Sequence, residues 1–347
     1  MPAHSLFSQA QDGQSSAGQF VHMSSFDDVR NFLSRNHRVN VDGCGVSFFL
    51  PDGPESDKLI LGQFRTTQPI NNCENLKSLC RVVWSKRFFA HIRATSGSAV
   101  AECNTHPFVF CPSLQGCITF MHNGSVARFK NVQRQLCSCL SEAAFSQIRG
   151  TCDSELLGAL CWDFLTATFG PGPYSGAELA ASLQHTIGMV ISAVDAWSEA
   201  NGVASEAKSS LNMAICSSRA VAVTRFRNGG EDPPTLFFQL GHGVEEQDHQ
   251  IPAHQCSFRL TKLDEERKTS KILFFFFFFW LIFIFVSKGN RKGSHLIVAS
   301  EPFLNKVQRN LQGFFCLCVE KRRLGIAFLA NLVCILIPMT TFLKHLK

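Results

Sequence analysis

Ile118-Thr119-Phe120-Met121-His122-Asn123-Gly124 joins a short apolar run to an Asn-Gly pair. The run predicts a strand, and the pair by itself reads as the tight turn of a hairpin. Further apolar runs predict strands on either side, at 46–50, 59–64, 88–92, 212–216, 220–225 and 236–239. Two stretches carry helical spacing instead. One is 153–168, with Leu156, Leu157, Leu160 and Phe164 recurring and Ser154 and Glu155 in its first turn. The other is 178–199, with Leu179, Leu183, Ile187, Val190 and Val194 on one face. Gly170-Pro171-Gly172-Pro173 separates them. Residues 1–240 therefore predict one mixed α/β domain.

Composition bounds the function classes. The 347 residues hold 33 Phe but 1 Tyr, and the net charge is +6. The basic excess sits at the end: residues 262–347 carry 14 Lys or Arg against 5 Asp or Glu, which leaves the rest slightly acidic. No basic-aromatic stripe accompanies it, so nucleic acid is not an expected partner. The 15 cysteines include no C-x-x-C pair, and neither a metal nor a cofactor is expected. They are read as free thiols of a reducing compartment. The polar first 20 residues lack a signal-peptide core, so a cytoplasmic location is expected. The Asn123-Gly124-Ser125 sequon is then silent.

Beyond about residue 240 the character changes. Residues 241–293 read as an irregular insert, and 272–286 is an apolar run containing Phe274–Phe279. A second apolar stretch spans 324–343, broken by Asn331 and Pro338. Membrane insertion through 272–286 and 324–343 is the alternative to the cytoplasmic reading. The first falls short of the ~20 residues a spanning helix needs, and the second is impure. An unbroken run of six Phe is what a T-rich non-coding tract would encode, and non-native sequence is the favoured reading of the insert.

Four motifs occur in order. They are Asn40-Val41-Asp42-Gly43-Cys44-Gly45-Val46; His91-Ile92-Arg93-Ala94-Thr95-Ser96-Gly97, followed by Asn104-Thr105-His106-Pro107-Phe108; His122-Asn123-Gly124; and Gly150-Thr151-Cys152-Asp153-Ser154-Glu155. Singly, each has a plain structural reading. Asp153-Ser154-Glu155 suits a helix N-terminus, Arg93 a surface ion pair, and His106-Pro107 a loop. Cys44 reads as a buried thiol.

Together, in this order, the motifs resemble the class II glutamine amidotransferases, which are N-terminal-nucleophile hydrolases. The likeness is greatest to a stand-alone branch that includes the amidotransferase-like subunit of the yeast-type glutathione-degrading complex. It covers 1–240 and returns at 294–302 with Ile297-Val298-Ala299-Ser300-Glu301-Pro302; 303–347 is unmatched. The resemblance implies an α+β fold, a four-layer αββα sandwich. It implies that Arg93 binds the α-carboxylate of a γ-glutamyl substrate and Asp153 its α-ammonium. The Asn123 side chain and the Gly124 N–H would form the oxyanion hole. Asp42, Gly43, His106 and His122 are supporting motif residues.

The family's nucleophile is an N-terminal cysteine whose own α-amine is the base. This chain begins Met1-Pro2-Ala3, and Ala3–Gln9 resembles a segment the family places after its nucleophile. The sandwich is therefore expected to be incomplete at the N-terminus and the chain inactive as written. A γ-glutamyl amide hydrolase acting on glutamine or glutathione is the expected function, with a peptidase subunit as a possible partner. A catalytically dead binding or scaffold subunit is the alternative.

Overall fold

The computed structural model describes residues 42–83, 85, 87–95, 97–111, 116–203, 208–229 and 236, and from 237 onward the backbones of eight strands. Expectations for residues 1–41, including Asn40 and Val41, lie outside the described residues. The chain divides into two compact units. The first comprises 1–48, 64–106 and 235–310; the second comprises 49–63, 107–234 and 311–347.

Strands form at the seven positions given above, most with longer ends, and the one at Phe108–Phe110 is additional. In chain order the first seven strands are β1 (Cys44–Pro51), β2 (Leu59–Thr66), β3 (Arg87–Ile92), β4 (Phe108–Phe110), β5 (Ile118–Ser125), β6 (Ser210–Ser217) and β7 (Ala220–Arg225). After them come β8 (Phe237–His242), β9 (Val244–Glu246), β10 (Phe258–Leu260), β11 (Leu281–Val286), β12 (Ser294–Ala299), β13 (Phe315–Glu320), β14 (Arg323–Phe328) and β15 (Ile335–Pro338). The helices are α1 (Glu74–Val82), α2 (Phe129–Ser138), α3 (Glu142–Phe145), α4 (Asp153–Phe169) and α5 (Gly176–Ala200).

One sheet has the order β2-β1-β3-β11-β12-β8. Its central pairings are antiparallel, with Cys44 opposite Ile92 and Val46 opposite Ala90. In the first unit Cys44, Ile70, Cys73, Leu76 and Ile92 pack into a small core with α1. Strand β11 comes from the Phe-rich stretch and lies between β3 and β12. Residues 241–293, read from the sequence as irregular, thus contain strands. Phe, Ile and Val favour strand over helix, which accords with this element type.

The second sheet has the order β15-β14-β13-β7-β6-β5-β4, and its register places Asn123 opposite Asn212 and Gly124 opposite Leu211. Asn123-Gly124 is therefore not a hairpin turn. The ladder with β6 continues through both residues to Ser125, so long-range pairing overrides the local turn preference. Helices α4 and α5 supply most of the larger core, including Leu156, Leu160, Trp162, Leu183 and Val190. Every residue from Ser154 to Trp162 is buried, as befits a helix apolar on all sides. Helix α5 starts two residues before the predicted point because Ser175 and Glu178 form a reciprocal cap.

Cysteine behaviour departs from expectation at one place. Cys111 and Cys117 form a disulfide across the β4–β5 connection. Phe110 and Ile118 are paired in the ladder, which brings the two flanking Cα atoms to 4.3 Å. Nine other described cysteines are thiols. Among the described residues no helix is long and apolar enough to cross a membrane. The described parts of 272–286 and 324–343 are the strands β11, β14 and β15.

Candidate functional site

The predicted site residues fall into two sets, one in each unit. Asp42, Gly43, Arg93 and His106 belong to the first. In it, the β1–β3 ladder is extended by one more pair: the Asp42 N–H donates to the Arg93 carbonyl, and the Arg93 N–H to that of Gly43. Asp42 Oδ2 accepts the Thr95 N–H at 2.8 Å. Asp42 thereby fixes the start of the turn that follows Arg93, which is a structural task.

Arg93 is buried, at 4% exposure, and is not a surface ion pair. Its Nη2 donates to Ser98 Oγ at 2.7 Å and to the Ala99 carbonyl at 3.1 Å. Asn104 Nδ2 donates to the same carbonyl at 3.0 Å, so the 95–104 loop and the guanidinium are locked to each other. A guanidinium held by its own loop has already lost its rotamer entropy. Gly43 has φ +125°, and a β-carbon there would lie 2.5 Å from the Thr66 carbonyl oxygen. Only glycine permits that approach. His106 is buried with its ring 4.2 Å from that of His91, centroid to centroid.

His122, Asn123, Gly124 and Asp153 belong to the second unit. Asn123 is 4% exposed near the end of β5. Gly124 has φ +137°, and a β-carbon at that position would fall 1.9 Å from the Ser210 carbonyl oxygen. Only glycine permits this approach of the two strands. Asp153 is the first residue of α4, and its Oδ2 accepts the Val126 N–H at 2.9 Å. The helix-start reading of Asp153-Ser154-Glu155 is correct. Glu155 accepts N–H groups from Arg149 and Gly150, closing the loop before the helix.

His122 links these parts. Its Nε2 lies 3.0 Å from the Ser210 carbonyl oxygen and its Nδ1 3.0 Å from Ser154 Oγ. Burial holds the imidazole below its ordinary value, while the Asp153 carboxylate and the Ser210 carbonyl work in the opposite direction. Neutral His122 therefore donates from Nε2. Neither Ser154 nor Ser210 had been assigned a role from the sequence. Ser154 lay inside a quoted motif, but Ser210 carries no local signal, because only β5–β6 pairing brings it to Gly124.

Cys44 is fully buried, and desolvation, followed by the neighbouring Cys73 and Cys80, pushes its thiol up to about 12. It has the character of a core thiol and not of a nucleophile. Among the described residues no group of three or more His, Cys, Asp or Glu is arranged to hold a metal ion.

Residues 21–227 match the family model of the class-II glutamine amidotransferases. The chain belongs to that family. It is 30% identical over 271 residues to a Saccharomyces cerevisiae protein named probable glutamine amidotransferase DUG3, covering 77% of this chain and 68% of the relative. Among solved structures it resembles a glutamine aminotransferase class-II domain protein from Silicibacter pomeroyi. That likeness has a TM-score of 0.50 at 16% identity and covers 84% of this chain and 92% of the other. The glutamine phosphoribosylpyrophosphate amidotransferase of B. subtilis aligns with a TM-score of 0.43 at 14% identity, over 83% of this chain and 43% of that one. The α+β fold of the N-terminal-nucleophile amidotransferase domains is thus the fold of this family member.

Proposed function

We propose that the chain recognises an L-γ-glutamyl amide and serves its hydrolysis. The observation that carries this reading is Gly124. Its φ of +137° and its apposition to Ser210 exclude any side chain, so a backbone without a β-carbon follows the buried Asn123. In this reading the Asn123 side chain and the Gly124 N–H hold the carbonyl oxygen as it gains negative charge. One such donor contributes roughly 2.7–4 kcal/mol in the transition state. Arg93 takes the α-carboxylate and Asp153 the α-ammonium. Glutamine and glutathione present the same two groups on the γ-glutamyl moiety, so both are candidate substrates.

The bond-breaking step follows the family. The sulfur of an N-terminal cysteine attacks the γ-carbonyl carbon, its α-amine takes the thiol proton, and that proton passes to the departing amine. Water then hydrolyses the thioester to release glutamate. A peptidase subunit is a proposed partner that would consume the dipeptide left from glutathione.

Two measurements test the reading. Calorimetric titration of the full chain with L-glutamine and with glutathione should show binding. Glutamate release should appear when the full chain is supplied with the family's cysteine-initiated N-terminal segment. It should fall by at least 10²-fold in Asn123→Ala. Binding without release from the supplemented chain points to a scaffold subunit, and absence of binding overturns γ-glutamyl recognition.

A further inference from the structure

Ser154 has no part in the chemistry above, yet it stands between two groups that each ask for its single hydrogen. Its Oγ is 3.0 Å from His122 Nδ1 and 3.2 Å from Asp153 Oδ1. The Ser210 carbonyl can only accept, so the neutral His122 ring carries its hydrogen on Nε2 and leaves Nδ1 as an acceptor. The Asp153 carboxylate is an acceptor as well. Ser154 and His122 are 5% and 2% exposed, so bulk water does not make up the shortfall. The other Asp153 oxygen is held by the N–H of Val126, just past the strand that carries Asn123 and Gly124. A β-carbon at Gly124 would sit 3.1 Å from His122 Nε2. Imidazole, carbonyl and glycine are therefore in mutual contact.

We propose that Ser154 and His122 form a positioning pair. The Ser154 hydroxyl turns to Asp153 while that carboxylate is empty, and to His122 once an α-ammonium group occupies it. The inference rests on the γ-glutamyl reading of Asp153. Filling the amine position then frees the hydroxyl hydrogen for Nδ1. A ring bonded at both nitrogens holds the Ser210 carbonyl, and with it the Gly124 backbone, more firmly. Recognition of the free amine is passed to the oxyanion donor within one unit, which selects substrates that retain the α-amine over those that lack it.

The test uses the full chain with two ligands, L-glutamine and glutaramate, the same amide without an α-amine. Nitrogen NMR of histidine-labelled protein reads the His122 Nδ1 signal, assigned by its loss in His122→Gln. L-Glutamine should shift that signal and glutaramate should leave it in place. Ser154→Ala should abolish the shift and weaken L-glutamine binding about tenfold, with glutaramate affinity unchanged. Ser154→Thr, which keeps the hydroxyl, should restore the preference. Glutamine binding with no His122 response overturns this inference alone, as does equal weakening of both ligands in Ser154→Ala. If L-glutamine fails to bind, the γ-glutamyl reading falls and the inference with it.

Discussion

At Gly124 one missing side chain decides whether β5 and β6 can close around the site. Alanine there would need a β-carbon 1.9 Å from a carbonyl oxygen in a backbone conformation that L-residues rarely adopt. Gly124→Ala should cost about 3 kcal/mol of stability, seen as a lower urea midpoint. An unchanged midpoint would rule out the close β5–β6 approach. His122 sets a pH dependence of definite sign. Its folded-state value is depressed below the ordinary 6.5, chiefly by burial. Its contribution is complete above the unfolded value and is lost as pH falls through the folded one. Stability should decline below about pH 6.5, and His122→Gln should flatten that slope measured by urea unfolding at stepped pH. A slope identical in the variant would assign the decline to other groups.

At the scale of elements, most of the fold was legible. The 3.6-residue spacing placed α4 and α5 to within two residues, because both are long and their signals are local. Capping settled the remaining difference at α5. Ser175→Ala removes a side-chain acceptor for the Glu178 N–H and should cost about 1 kcal/mol. Scanning calorimetry should show a transition lower by roughly 2–4 °C, and no change would mean that the reciprocal cap does not stabilise α5. The strands at the seven apolar runs up to residue 240 were also readable, because such runs are local, whereas β4 and β9–β11 were not. Strand partners were not. Nothing around His122 announces Ser210, and nothing around the Asn-Gly pair says that it lies inside a ladder.

For the whole molecule, burial separates the cysteines more sharply than sequence position does. Cys44 and Cys161 are fully buried, and desolvation pushes both thiols up to about 12. At pH 8 the native chain should alkylate at Cys139 well before Cys44 or Cys161, read by mass spectrometry of digests. The same digests should yield a Cys111–Cys117 linked peptide under oxidising conditions. Rapid labelling of Cys44 in the native chain would contradict the packing of the first unit.

By itself the sequence determined the element types, the order of four motifs and, through them, the family. Those features depend on side-chain period, capping and short-range chemistry, which a linear reading contains. The tertiary structure alone decided what depends on strand pairing and burial. It buried Arg93 in its own loop and pressed Ser210 against Gly124. It turned Asn123-Gly124 from a turn into a ladder, paired Cys111 with Cys117, and seated β11 between β3 and β12. The Ser210–Gly124 contact and the seating of β11 gain their free energy only when the backbone closes over a long separation. The Arg93 loop and the Cys111–Cys117 bridge instead span five or six residues and are held shut by the strand pairing at their ends, of which local sequence carries little trace.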